Sequence, residues 1–490
     1  MRNLLNYLSY FLTGFACLPT AYAQKVRPYE YKVELGTYYS INNKIPFWMR
    51  SNQFGVIPKT GNTVLFRQSV TSKKDTTGKF FKFGYGADMA VVVGNQAQFL
   101  LPEAYLKFDL GIFSVMGGRK KQVHGIVDST LSSGSVTWSG NSLPMPEVQL
   151  AIPEYRKLIF KWLFIKGHYS HAWFMDQEYV KNYYLHQKAL YGRIGKAGSK
   201  VKFYGGILHN VQWGGKPKYD IPAWDGRFKN GKLPSNWFTY KQVVLPFKAL
   251  RDTTSGYTNF ELENRFGNHV GQFDIGGEIR IRKTNLMLYK QTIFETGQTF
   301  SSLTNADDGL YGLSLTSLAE KTIFRRFVFE FLFTKNQGSY QAGLPRLLGL
   351  KDRQFGNDTY YFNHAQYLDG WSYNRMTIGT PFMIPDPEIR IEKRNTTMQF
   401  YSNNNRIRAF FIGMNAKLNS VDLEMRASLS RNFGTARKAM GPADQMSLLF
   451  TGYVPAAKLK GNIKVSVGID QGDLINDNYG VNLSYQRIWK

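Results

Sequence analysis

One cysteine, Cys17, occurs in 490 residues. A disulfide framework and thiolate metal sites are therefore excluded. Beyond the first two dozen positions no run of about 18 apolar residues occurs, which excludes transmembrane helices. H-E-x-x-H, C-x-x-C and G-x-S-x-G are all missing. Gly226 to Lys232 has G-x-x-x-x-G-K spacing, but Leu233 stands where a phosphate loop needs Ser or Thr. His168 and His171 are three apart, which on a strand places them on opposite faces and argues against shared ligation. Carboxylates spaced for glycoside cleavage are signalled by no motif. The expectation is a protein without catalytic residues, metal or cofactor. Pro-rich linkers, low-complexity tracts and repeats of fixed length are also lacking, so no domain boundary is drawn inside the body of the chain.

Acidic residues are few: 35 Asp and Glu face 62 Lys and Arg, a net charge of +27. The positive residues are spread along the whole chain. Two anionic partners suit such a surface outside a cell, lipopolysaccharide phosphates with their membrane lipids and an acidic polysaccharide. Many of the charges have a plainer use, lining a lumen or flanking a membrane. A nucleic-acid partner does not fit the export signal that follows.

Arg2 is followed by a mostly apolar stretch from Leu4 to Leu18 and by Ala21-Tyr22-Ala23, an A-x-A cleavage site. The expectation is a signal peptide over 1–23, cut between Ala23 and Gln24, and one domain over 24–490. An N-terminal anchor is the alternative, but the stretch is short of the ~20 residues a spanning helix needs. Gly14 occupies the position where a lipoprotein signal before Cys17 would carry Leu.

Tyr (30), Phe (36) and Gly (46) are abundant, a mixture that fits many strands joined by many turns. Period-two alternation recurs. Phe273, Ile275, Gly277, Ile279 and Ile281 share one face, against Asp274, Gly276, Glu278, Arg280 and Arg282. Val421, Leu423, Met425, Ala427 and Leu429 alternate with Asp422, Glu424, Arg426, Ser428 and Ser430. Phe81 to Ala90 and Ile463 to Asp470 repeat the pattern. One face is apolar and often aromatic, while the other carries charges and glycines as a wet lumen requires. The stretches are about ten residues long, enough to cross a bilayer at the usual tilt. A closed antiparallel β-barrel is then the one architecture that pairs every backbone group in lipid. The last strand, with Tyr479, Val481, Leu483, Tyr485 and Trp489 on one face, ends as outer-membrane barrels do, apart from the extra Lys490. Gly312 to Arg326 is a helix candidate, because Leu315, Leu318, Ala319, Thr322 and Ile323 have helical spacing; the alternative is a loop into a Phe327–Phe333 strand.

Several clusters, in order, resemble the Wzi capsule-assembly family. Gly134-Ser135 precedes Asn141, Leu143, Pro144 and Pro146. Leu185-His186-Gln187-Lys188 resembles an L-H-x-K segment. His209, Gln212, Trp213, Gly214 and Gly215 resemble H-x-x-Q-W-G-G, the most specific piece. Asp308 to Gly312, Phe329 to Thr334, Asn363-His364 with Tyr367, Gly370-Trp371-Ser372-Tyr373 and Ile378 to Phe382 follow. The resemblance implies an outer-membrane barrel of about 18 strands with a small helical element at the periplasmic mouth. It also implies a surface lectin that holds capsular polysaccharide on the cell.

Long external loops would carry the binding surface. Trp213 to Tyr240 is long, rich in Gly and Pro, and does not alternate. It holds Trp213, Trp224 and Trp237 with Lys216, Lys218, Arg227 and Lys229. Aromatic faces suit sugar C–H groups, and cations suit uronate or phosphate. Trp371 and Tyr373 join the candidates. For each ring the alternative is packing over the barrel mouth, while Trp162 and Trp173 read as girdle or lipid-facing residues. Three functions follow: a polysaccharide-binding barrel, a porin-like channel for small solutes, and an outer-membrane enzyme.

Overall fold

The computed structural model describes residues 28–75, 78–158, 160–220, 228, 231–245, 265–302, 304–319, 321–339, 359–394 and 401–490. The signal peptide expected over 1–23 lies outside the described residues. So do Trp224, Arg227 and Lys229.

Eighteen antiparallel strands close into one barrel. The first nine are β1 (Tyr29–Ser40), β2 (Thr63–Ser72), β3 (Phe81–Val93), β4 (Ala97–Leu110), β5 (Phe113–Arg119), β6 (Glu147–Lys157), β7 (Leu163–Asp176), β8 (Val180–Ile194) and β9 (Val201–Trp213). The rest are β10 (Asn268–Ile281), β11 (Thr284–Phe294), β12 (Gly309–Ser317), β13 (Phe324–Phe333), β14 (Ile407–Leu418), β15 (Val421–Gly434), β16 (Ala439–Ala456), β17 (Gly461–Gly472) and β18 (Asn478–Trp489). Closure comes from β1, which pairs with β2 on one side and β18 on the other, Tyr31 opposite Trp489. No barrel edge is left to desolvate unpaired in lipid.

The expected faces are observed. On β15, Leu423 and Leu429 point out and are exposed, while Arg426, Ser428 and Ser430 point in and are buried. On β18, Tyr479, Val481 and Leu483 are exposed, while Asn482 and Ser484 are buried. Trp162 is exposed and stacks on Phe160 beside the β6–β7 turn, the position of a girdle residue.

Turns after even-numbered strands are short. Gly111, Arg282 and Asn419 adopt positive φ in three of them, the conformation tight hairpins demand. Links after odd-numbered strands include the long 41–62, 120–146, 214–267 and 334–406. Tyr29 and Trp489 lie at the short-turn end. In outer-membrane barrels that end faces the periplasm and the long loops face outside.

Of the two readings of Gly312 to Arg326, the helix is not formed: the segment is most of β12, a link and the start of β13, and the strand of the alternative, Phe327–Phe333, lies within β13. Leu313 pairs with Leu288 on one side and Phe329 on the other. Neighbouring strands on both flanks satisfy the backbone, so the period of two wins over the helical spacing. The described α-helices, α1 (Phe47–Arg50), α2 (Trp237–Val244) and α3 (Gly297–Ser302), all belong to links at the external end. At the periplasmic end the described helical piece is a 3-10 turn, Ala457–Leu459.

The link from Lys120 to Pro146 folds back into the barrel as a plug. It has little regular structure, so the wall must furnish partners for its backbone. Gln291 Oε1 accepts from Val136 N at 2.9 Å, and Gln272 Oε1 accepts from Thr137 N at 3.0 Å. Glu330 Oε2 accepts from Ser133 N at 2.7 Å, and Asp274 Oδ2 from Ile126 N at 3.0 Å. Across the lumen, Arg426 Nη1 donates to the Ser132 carbonyl at 3.2 Å. Gly125 sits at φ +121°, where a Cβ would lie 2.4 Å from Gln291 Nε2.

Candidate functional site: a cleft at the external mouth

Four external links, β1–β2, β7–β8, β13–β14 and β17–β18, build a cleft of about 520 Å³ with the ends of β17 and β18. The β1–β2 link enters it through α1. Trp48 anchors that turn, its Nε1 donating to Ser428 Oγ at 2.9 Å, and Phe47 N donates to Asp470 Oδ2 at 2.9 Å. Arg50 and Lys59 then meet Glu388 of the β13–β14 link, each at 2.6 Å. Burial works to raise the Glu388 pKa, but the two cations override it and hold the carboxyl below its ordinary range.

Asp369 caps the β7–β8 turn, accepting from the backbone N–H of Glu178 (3.0 Å), Tyr179 (3.1 Å) and Val180 (2.9 Å). Its burial outweighs those bonds and raises its pKa. Asn403 donates to Asp386 at 3.0 Å. The acids that line the cleft are thus largely satisfied from within. Lys44 makes no ion pair among the described residues, and burial, with Arg394 beside it, holds its ammonium below the usual lysine range. Arg375 stands on a two-residue hairpin turn with Asn374, both at positive φ. Its side chain is exposed and pairs with Glu178 at 3.2 Å. Tyr179 and Tyr401 supply ring surface. The cleft can take a polar, sugar-sized group, with Lys44 unpaired among the described residues and the exposed Arg375 at its rim to meet an anion.

Most residues expected to bind sit elsewhere. Trp371 is 0% exposed and donates from Nε1 to the Thr137 carbonyl at 2.8 Å; Tyr373 is 2% exposed. Trp371, in the β13–β14 link that lies as a lid over the plug, packs against Trp138, and Tyr373 packs against Phe174 of β7, which leaves neither ring open to a ligand. Trp213 is buried on the outer wall against Tyr184 and Tyr240. Trp237, 68% exposed, heads α2 on that same outer wall. Lys216 and Lys218 are exposed, and Lys218 pairs with Asp176 at 3.0 Å.

The motif residues prove to be joints. Gln212 donates to the Gly370 carbonyl at 3.0 Å, and Tyr367 donates to the Gly214 carbonyl at 3.2 Å. Gly214, Gly215 and Gly370 all have positive φ, and a Cβ on Gly370 would lie 2.5 Å from the Phe362 carbonyl oxygen. Asn141 donates to the Thr377 carbonyl at 3.1 Å. Pro144 is buried in the plug, and the Pro146 carbonyl accepts from Trp173 N at 3.1 Å. His364 Nδ1 accepts from Gln366 N at 3.2 Å. His186, Lys188 and His209 face outward beneath α2; Lys188 reaches the Val244 carbonyl, and His209 meets His269 at 2.9 Å. The cleft residues Lys44, Arg50, Lys59, Asp369, Arg375 and Glu388 carried no sequence signal, because they lie in irregular links that meet only in the folded barrel.

No family model matches the chain, and no curated protein does. Among solved structures it is similar to Wzi of Escherichia coli, an outer-membrane protein involved in group 1 capsule assembly and a carbohydrate-binding β-barrel. The TM-score is 0.55 at 11% identity, over 93% of this chain and 83% of that one. It also aligns with OccK5 of Pseudomonas aeruginosa (TM-score 0.46, 9% identity, 94% and 98% covered) and with OprD of the same organism (0.44, 9%, 96% and 95%). The resemblance read from the ordered motifs is therefore borne out in the fold: the chain is a closed 18-stranded antiparallel β-barrel built like Wzi.

Proposed function

We propose that this barrel is a non-catalytic lectin that attaches an acidic capsular or exopolysaccharide to the cell surface. The observation that carries the reading is the plug: Lys120 to Pro146 crosses the lumen and is bonded to β10, β11, β13 and β15. A solute channel has no use for a wall-to-wall plug, whereas a surface anchor needs only an external face. The mouth cleft offers that face, with Lys44 and Arg375 as the cations and Tyr179 as a stacking ring. The name of Wzi agrees with this reading.

Deletion of the gene, followed by measurement of polysaccharide on cells and in the medium, is the first test. Synthesis should continue while the medium fraction rises. Two variants then divide the external surface. Lys44→Glu with Arg375→Glu removes the cleft cations. Trp224→Ala, Trp237→Ala and Lys229→Glu disarm the aromatic loop. Shedding from the first set, at normal barrel levels, places binding in the cleft; shedding from the second places it on the loop. Retention in both overturns the reading. Binding in vitro should weaken with salt, since exposed charges are screened over about 8–10 Å at physiological ionic strength.

A further inference from the structure

A second polar pocket, of about 310 Å³, lies between the plug and the wall of β4 to β8. It shares no lining residue with the mouth cleft. It belongs to the periplasmic half of the lumen: Lys107 is close to the β4–β5 turn, and Lys166 is close to the β6–β7 turn.

Four lysines line it, Lys107, Lys120, Lys121 and Lys166, with His124 and His168 and without any Asp or Glu. Two of the lysines are neutralised from outside the pocket. Lys107 pairs with Asp109 at 3.0 Å, and Lys121 pairs with Asp88 and Glu103. The other two make no ion pair among the described residues. Lys166 Nζ lies 5.0 Å from the Tyr155 ring and 5.3 Å from the Tyr191 ring; Lys120 Nζ lies 5.0 Å from the Tyr105 ring. Ring faces attract a cation but do not cancel its charge. Both ammonium groups are half-buried, and partial burial of an unpaired charge is costly. His124 and His168 also line the pocket, with their ring centroids 4.4 Å apart. At about 30 Å³ of liquid volume per water, the pocket has room for an oxyanion and the small polar group that carries it.

We infer that this pocket binds a phosphate-class oxyanion, held between Lys120 and Lys166 with the His124 ring alongside. Charge-assisted hydrogen bonds from two ammonium groups match such a ligand. The chemistry fits free phosphate and a sugar phosphate alike, and the test separates them.

The full-length barrel in a non-ionic detergent is titrated with inorganic phosphate, glucose 1-phosphate and glucose, with binding followed by calorimetry. Inorganic phosphate should bind saturably, and glucose should not. Tighter binding of glucose 1-phosphate marks a sugar phosphate as the ligand; equal binding marks free phosphate. Lys120→Ala with Lys166→Ala should weaken phosphate binding by roughly tenfold or more. Lys241→Ala, on the outer-wall helix, should leave it unchanged. Gel mobility of unboiled protein reports folding. Should the double variant fail to fold, Lys120→Gln alone replaces it and should also weaken binding. Absence of saturable phosphate binding, equal binding of glucose, or full affinity in the folded lysine variants would overturn the inference.

Discussion

Trp371 reaches from the lid of the barrel into its plug, Nε1 donating to the Thr137 carbonyl at 2.8 Å. Thr137 in turn bonds to Gln272 on the wall, so one indole ties lid, plug and barrel together. Trp371→Ala should cost on the order of 3–5 kcal/mol, the range for truncating a buried large aromatic. Trp371→Phe keeps most of the volume but leaves the Thr137 carbonyl unpaired, at roughly 1–3 kcal/mol. Protease nicking of residues 359–394 at constant barrel mobility measures both. Wild-type resistance in both variants would show that the ring holds nothing.

Glu388 gives the mouth a pH dependence. Its folded pKa is depressed, with burial opposed and overcome by Arg50 and Lys59. A depressed carboxyl contributes stability above its unfolded value, near 4.5, and that contribution is lost as pH falls through the folded value. The external links should therefore loosen in acid, as pH falls below the ordinary carboxyl value and through the depressed one. Glu388→Gln should remove that pH step and destabilise the links at neutral pH, by on the order of 3 kcal/mol, because the buried Arg50 and the half-buried Lys59 lose their partner. Hydrogen exchange of residues 44–60 against pH checks the sign. An acid step that survives in Glu388→Gln would assign the effect to another group.

The outer face makes a depth-dependent prediction. Leu429 is 59% exposed near the middle of its strand, and Leu423 lies close to the β14–β15 turn. Leu429→Arg should cost about 2–4 kcal/mol, and Leu423→Arg about 0–1 kcal/mol. Ser428 points inward but has no room for a long charged side chain, because its Oγ accepts from the Trp48 indole. Ser428→Arg should dislodge α1 as well. Refolding into vesicles, followed by denaturant titration, ranks the three.

The strand faces were legible because alternation is local: Leu429 and Ser430 point opposite ways whatever their partners are. Gly312 to Arg326 stays open between a helix and a loop into a strand when read from sequence, because two strand ends around a short turn also place Leu315, Leu318 and Thr322 three or four apart. The cleft was illegible for a different reason. Glu388 meets Arg50 and Lys59 from opposite parts of the chain, and nothing local to any of them announces it. The motif around Gln212 and Gly370 was visible, yet its use as a lock became visible only once Gly370 was seen to accept from Gln212.

Conductance separates an anchor from a channel. Gln272, Gln291 and Glu330 hold the plug by its backbone at Thr137, Val136 and Ser133. In planar bilayers the wild-type protein should show no steady single-channel steps. Gln272→Ala, Gln291→Ala and Glu330→Ala together leave three buried N–H groups without partners, each worth roughly 1–3 kcal/mol. The plug should then leave the lumen part of the time, and discrete steps should appear. The barrel itself should stay closed, because its strand ladders are untouched, and unboiled protein should keep its anomalous gel mobility. Steady steps in the wild type would favour the channel reading over the anchor. Silence in the triple variant, with mobility unchanged, would mean that the remaining bonds, such as Arg426 to Ser132, are enough to hold the plug.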